Sequence, residues 1–545
     1  MRRHFLFATA ALVATTHVDA QQIRPYEPAF DVADYTIAID VPDTGRFIRA
    51  RATITVARTQ PSDTLMLDLL DLDVRDVTVD GRSVKFGRTP EKIAVPLPRK
   101  SGKTAEFRVE VVYDGSVKDG LVARADSAGR WTYFGDNWPN RARHWIPSID
   151  HPSDKATVTW RVTTSPSKTV VANGKLVSTR TVQVGGVERQ EVVWRETKRI
   201  PPYLMVIAVA PLDEIDLGDT ACGLAEQQRC VPQEVYVAPE QRSEMPGPFA
   251  RAGEMVQLFA SIVGPFPYEK LAHLQSSTRF GGMENASAIF YPDAPFRTNS
   301  VPEATIAHET AHQWFGDAVT EREWPHLWLS EGFATYFAAL WTRAARGDSA
   351  FRVKMDRMRA TILADTIAVT KRPVIDTVET NLLALLNRNS YEKGGFFLQM
   401  LRAQVGERAF FDAIRGYYAK HRHSTALTDD LRAEMEAASK QNLASFFNRW
   451  LRQPGYPEVT AAWSYDATAR EVVVDVTQGS RFGRFTFPLT VAVVDSAGTA
   501  HRATSEILAI GDGAQRIRIP SPTKPVRVVL DPDVVLLARL TLVEQ

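Results

Sequence analysis

The chain has 545 residues, 44% of them hydrophobic and 24% charged, with 65 Lys and Arg against 64 Asp and Glu. That length and apolar content suit three or four packed domains rather than one. A formal net charge of +1 supplies no bulk field for nucleic acid or an anionic membrane, so neither is an expected partner.

The N-terminus reads as an export leader. Arg2, Arg3 and His4 precede the apolar run Phe5 to Ala14, and Val18-Asp19-Ala20 gives a small-x-small exit. The pattern predicts a signal peptide over residues 1–20, cleaved after Ala20, and an exported protein, periplasmic or secreted. An uncleaved N-terminal anchor is the alternative. The apolar run is too short to cross a bilayer, and no later stretch suits a membrane span.

Residues 21–212 read as an N-terminal β domain. Tyr35 to Val41, Ala52 to Ala57 and Phe107 to Val112 alternate apolar and polar residues. Asp80-Gly81 marks a hairpin turn. Further strands are expected at Ala156 to Thr163, Glu191 to Arg195 and Tyr203 to Val209. Cys222 and Cys230, the chain's two cysteines, lie in the polar loop that follows. In an exported protein such a pair suits a local disulfide, with two free thiols as the alternative.

Residues 213–452 read as a mainly helical domain. Helical spacing runs from Phe249 to Val263 and stops at Gly264-Pro265. Pro302 suits a first helical turn. Ala338 to Ala345, Phe351 to Leu363, Lys393 to Val405, Ala409 to His421, Asp429 to Ser439 and Leu443 to Leu451 also fit helices. Gln453 to Pro457 breaks the pattern. Residues 453–545 alternate again and are expected to form a C-terminal β-sandwich.

The chemistry is concentrated between His308 and Glu331. His308-Glu309-Thr310-Ala311-His312 places two imidazoles four residues apart, hence on one face of a helix. Such a string also arises by chance on amphipathic helices. Here 18 residues separate His312 from Glu331, which can supply a third, carboxylate ligand from the next helix. A His₂Glu set with one open position is a catalytic zinc site, where bound water has a pKa of about 7. Glu309 faces the same cavity and can reach that water.

Three other segments join this one. Phe280-Gly281-Gly282-Met283-Glu284-Asn285 offers glycines that let a backbone approach a ligand, and a carboxylate able to bind a cation. Ser390-Tyr391-Glu392-Lys393-Gly394 offers a phenol able to donate to an oxyanion. Ala142 to Pro147, in the β domain, is by itself a plain turn.

Together, in this order and at these gaps, the segments resemble the gluzincin zinc aminopeptidases, the aminopeptidase N family. That family reads Gly-x-Met-Glu-Asn, His-Glu-x-x-His, 18 residues, Glu, then Tyr-x-Lys-Gly. Gln313-Trp314-Phe315-Gly316 and Trp328-Leu329 also fit its flanks. The resemblance is strongest over residues 265–400.

It implies an α+β multidomain fold with a thermolysin-like catalytic domain. It implies one Zn²⁺ held by His308, His312 and Glu331. Glu309 is implied as general base for a zinc-activated water, and Tyr391 as support for the oxyanion. Gly281, Gly282, Met283, Glu284 and Asn285 are implied to bind substrate, with Glu284 on the α-ammonium of a peptide with a free N-terminus.

The sequence departs from the family in three ways. Trp138 stands where many members carry a second acidic or Gln residue near the amine; it can offer only a ring face. Asp317 replaces a common Asn. No large helical C-terminal domain follows, so a more open cleft is expected. The expected activity is release of N-terminal residues from peptides. An endopeptidase or epoxide hydrolase on the same scaffold, or a non-catalytic peptide-binding relative, are the other readings.

Overall fold

The computed structural model describes residues 28–98, 106–126, 128–224, 229–244, 247–509 and 513–545; the expected leader lies outside them. The first unit is built on an eight-stranded sheet. Its order is Lys175–Val184, Val187–Ile200, Ala156–Thr164, Phe30–Asp40, Phe47–Arg58, Glu106–Ser116, Asp73–Val79, Arg82–Ser83. Neighbours run antiparallel except Phe30–Asp40 beside Ala156–Thr164. In Phe47–Arg58 the alternating residues Ile48, Ala50, Ala52, Ile54 and Val56 are buried. Each fully buried Ile or Val contributes about 1.5–3 kcal/mol. Asp80 and Gly81 form the expected hairpin turn, both with positive φ.

A second sheet, Thr169–Ala172, Ile207–Ala210, Trp131–Gly135 and Leu121–Ala125, faces the catalytic unit. There Phe134 meets Phe290 edge-on. One expected strand is shorter than its alternation suggested. Pro202–Leu204 form a 3₁₀ turn and the strand begins only at Ile207. Pro201 and Pro202 have no N–H to give to a ladder, so the strand starts past them.

The catalytic unit opens with a four-stranded sheet that periodicity did not reveal: Asp213–Thr220, Val231–Val237, Leu271–Ser276 and Ala288–Pro292. All six residues of Leu271–Ser276 are buried, so no alternation exists to be read. Cys222 and Cys230 are disulfide-bonded in the loop joining the first two strands.

Helices Ala252–Val263, Glu303–His312, Trp328–Ala364, Gly394–Val405, Glu407–His421, Thr428–Ser439 and Ala444–Leu451 follow. Trp328–Ala364 is two helices meeting at Gly347, whose φ of 80° suits a residue without Cβ.

The last unit is a sandwich of two sheets. One runs Gln515–Pro520, Glu471–Gln478, Glu458–Asp466, Arg539–Glu544; the other runs Ala500–Ile507, Phe487–Val494, Arg527–Leu530. Among the described residues no helix follows Leu451.

Buried polar ties join the units. Lys155 Nζ donates to the carbonyls of Asp317 and Ala318 at 2.8 and 2.9 Å. Arg359 pairs with buried Asp531 at 2.7 Å, which pins the sandwich to the catalytic helices.

Candidate active site

The helix Glu303–His312 presents His308 and His312 one turn apart, as their spacing predicts. It is held by the residues just after it. The Trp314 indole donates to the Gly264 carbonyl at 2.9 Å, and Phe315 stacks on Phe333 with centroids 4.4 Å apart. The next helix starts at Trp328, putting Glu331 in its first turn. Its start is fixed by Thr428, whose hydroxyl lies 2.8 Å from His326 Nδ1 and accepts from the Trp328 indole at 2.9 Å.

Three ligand atoms converge. His308 Nε2 and His312 Nε2 are 3.0 Å apart, and Glu331 Oε2 lies 3.2 and 3.3 Å from them. A triangle with these edges leaves a point about 2 Å from every corner, which is the length of a Zn–N or Zn–O bond. His312 Nδ1 faces the Phe315 carbonyl at 3.1 Å and Ser330 Oγ at 3.0 Å. A carbonyl only accepts, so this contact puts hydrogen on Nδ1 and leaves the Nε2 lone pair for the metal.

The electrostatics fit the same cation. Burial pushes the Glu309 carboxyl well above its ordinary range; His312 opposes this, and Glu284 and Glu331 add to it. Burial likewise raises Glu284. At Glu331 burial works upward, yet the adjoining His308 and His312 imidazoles hold the carboxyl below its usual value. Three buried carboxylates crowd two imidazoles, and a dication among them would relieve the crowding.

The remaining expected residues gather round. Gly281, Gly282, Glu284, Glu309 and Tyr391 line a cavity of about 370 Å³ with the three ligands. The Tyr391 hydroxyl donates to Glu331 Oε1 at 2.7 Å and its ring stacks on His308. It sits on a π-helical turn, Asn389–Lys393, a feature frequent at functional sites. Met283 lines a small annex of about 30 Å³ with Trp138, Phe280, Glu284, Leu386 and Tyr391. Trp138 therefore shares a wall with Glu284. Asn285 is fully buried and lines neither space. A larger recess, about 510 Å³, lies beside Arg124, Arg130 and Asp293 and contains none of these residues.

Sequence reasoning gave no role to two supports. Gln313 donates to the Glu284 carbonyl at 2.9 Å and to Asp317 at 2.8 Å, and accepts from Ser287 N at 2.8 Å. It thereby ties the glycine segment to the metal-motif helix, and Asp317 braces it. Ser330 orients His312. Gln313 directly follows the motif and Ser330 directly precedes Glu331, and those positions were the available signal. Lys354, which also lines the cavity, had none.

Comparison with known proteins agrees with this geometry. Residues 252–450 match the peptidase family M1 domain, and residues 32–204 the peptidase M1 N-terminal domain. "Probable aminopeptidase 1" of Sulfurisphaera tokodaii is 28% identical over 413 residues, 72% of this chain and 50% of that protein. Aminopeptidase N of Lactobacillus delbrueckii subsp. lactis is 25% identical over 473 residues, 81% of this chain and 53% of that protein. The chain thus spans about half the length of these relatives. A mutant M1 zinc metallopeptidase of Deinococcus radiodurans, solved with a Tyr-Ser-Ala substrate, superposes with TM-score 0.68 at 26% identity. That match covers 78% of this chain and 94% of that one. Aminopeptidase A of Legionella pneumophila shares the fold, with TM-score 0.80 at 17% identity, over 96% of this chain and 61% of its own. Two matched segments from one family, the second of which contains the His308–His312–Glu331 triangle, establish that the chain belongs to peptidase family M1.

Proposed function

We propose that this protein is an exported zinc aminopeptidase that releases N-terminal residues from peptides. The observation that carries the reading is one cavity holding the His308–His312–Glu331 triangle, the Glu309 carboxylate, the Tyr391 hydroxyl and, beside them, Glu284. When bound, zinc supplies a Lewis acid for the carbonyl oxygen and lowers the pKa of water to about 7.

The chain's own residues do the rest. Glu309 takes a proton from the attacking water and returns it to the departing amine. Its place in the same cavity as the three ligands suits it to both tasks. Tyr391 turns its hydroxyl from Glu331 to the oxygen of the tetrahedral intermediate. Glu284 holds the substrate's α-ammonium by a charge-assisted bond, which sets cleavage one residue from the end.

The names of the relatives and the Tyr-Ser-Ala complex of the Deinococcus protein support this reading. Export rests on the leader pattern and on the disulfide, and no helix among the described residues is long and apolar enough to cross a membrane. N-terminal sequencing of the mature protein should begin at Gln21. The direct test of activity is a matched pair of peptides, one with a free amine and one N-acetylated. Turnover of the free peptide alone, lost in Glu284→Ala, supports the reading; equal turnover of both points to an endopeptidase.

A further inference from the structure

The cavity is charged differently at its two ends. Glu284, Glu309 and Glu331 crowd one end. The rest of the lining includes the neutral Ala304, Thr305, Thr335 and Ala338 and one lysine, Lys354. Lys354 lies on the second of the two helices that meet at Gly347, whose bend carries the chain back toward the cavity. Its side chain is half-buried, and among the described residues no carboxylate or carbonyl pairs with it; the neighbouring charge that bears on it, Arg346, has the same sign. It is near enough to act electrostatically on His308. A half-buried ammonium without an acceptor, facing a substrate cavity, is a binding group in want of an anion.

A free short peptide has the matching form, with an ammonium at one end and a carboxylate at the other. Each residue spans at most about 3.3–3.6 Å. With the ammonium on Glu284 and the first peptide bond at the metal, the chain runs past His308 toward Lys354. We propose that Lys354 binds the C-terminal carboxylate of the substrate, so that the protein prefers short peptides with a free C-terminal carboxylate to C-terminally blocked ones. This rests on the aminopeptidase reading for the direction of the peptide, and deepens it.

The test compares trialanine with its C-terminal amide, by turnover in the intact zinc enzyme and by calorimetric binding to zinc-loaded Glu309→Gln. A charge-assisted bond is worth about 10- to 100-fold in preference for the acid. That preference should fall to near one in Lys354→Met, persist in Lys354→Arg and reverse in Lys354→Glu. Equal binding of acid and amide to the protein with Lys354 intact overturns the proposal, as does a preference that survives in Lys354→Met. If the preference depends on Lys354 but N-acetylated trialanine is bound and cut as well as the free peptide, the aminopeptidase reading fails and this assignment stands.

Discussion

Glu309 occupies the space a side chain on residue 282 would need: a Cβ built on Gly282 would lie 2.1 Å from Glu309 Oε1. The glycine is therefore what lets the Glu309 carboxylate sit against the segment from Phe280 to Asn285. Gly282→Ala must displace the carboxylate or the loop. A misplacement of about 1 Å costs on the order of 10²-fold in rate. Turnover should drop by about that factor while zinc content stays at one per chain. Unchanged kcat/KM would show that the contact does not constrain the base.

Glu309→Gln keeps the shape of the side chain and removes its ability to take a proton. Zinc stoichiometry should hold, because the three converging ligand atoms belong to His308, His312 and Glu331 and not to Glu309. The rate should fall by about 10²- to 10⁴-fold, the usual weight of a positioned general base. A variant that turns over within a few-fold of the parent removes Glu309 from the chemistry.

The metal site was readable in the sequence because ligation demands a local spacing. His308 and His312 must be one helical turn apart, and Glu331 had to begin a neighbouring helix. The helices and most strands were readable for the same reason, since each buries one face. Leu271–Ser276 was not, because it is buried throughout and so leaves no period. Gln313 could be seen beside the motif, but its three hydrogen bonds reach residues that only the fold brings near. Lys354 was invisible for a third reason: its position depends on a break at Gly347 between two helices.

Trp138 bounds the small space beside Glu284. It makes edge-on contacts with Phe280 at 5.9 Å and Trp324 at 5.6 Å, so the wall is braced on two sides. The annex it bounds, about 30 Å³, has room for one or two waters. The annex also touches Glu284 and Tyr391, which the proposed function places around the first residue of a substrate. Among aminoacyl amides, alanine should be preferred to leucine and phenylalanine by tenfold or more, since each excluded methylene costs about 0.8 kcal/mol or more. Trp138→Ala should narrow or invert that order. An order the same in both proteins would place the first side chain elsewhere.

Removing the metal should cost stability as well as activity. Without a cation, Glu284, Glu309 and Glu331 remain buried around His308 and His312 with little to balance them. A ligand bound only by the folded state adds RT ln(1 + [L]/Kd), about 4 kcal/mol when free zinc is a thousand times Kd. For a unit the size of the catalytic domain that is roughly 8–16 °C in Tm. Chelation should therefore lower the melting transition by about this much, and one equivalent of zinc should restore it together with peptide turnover. His312→Ala should melt near the chelated protein and gain little from added zinc, because it removes a corner of the triangle. If the chelated protein melted and turned over peptides as before, the convergence of these three ligand atoms would have no metal to explain it, and the hydrolysis assigned to Glu309 would need another source of electrophilic help.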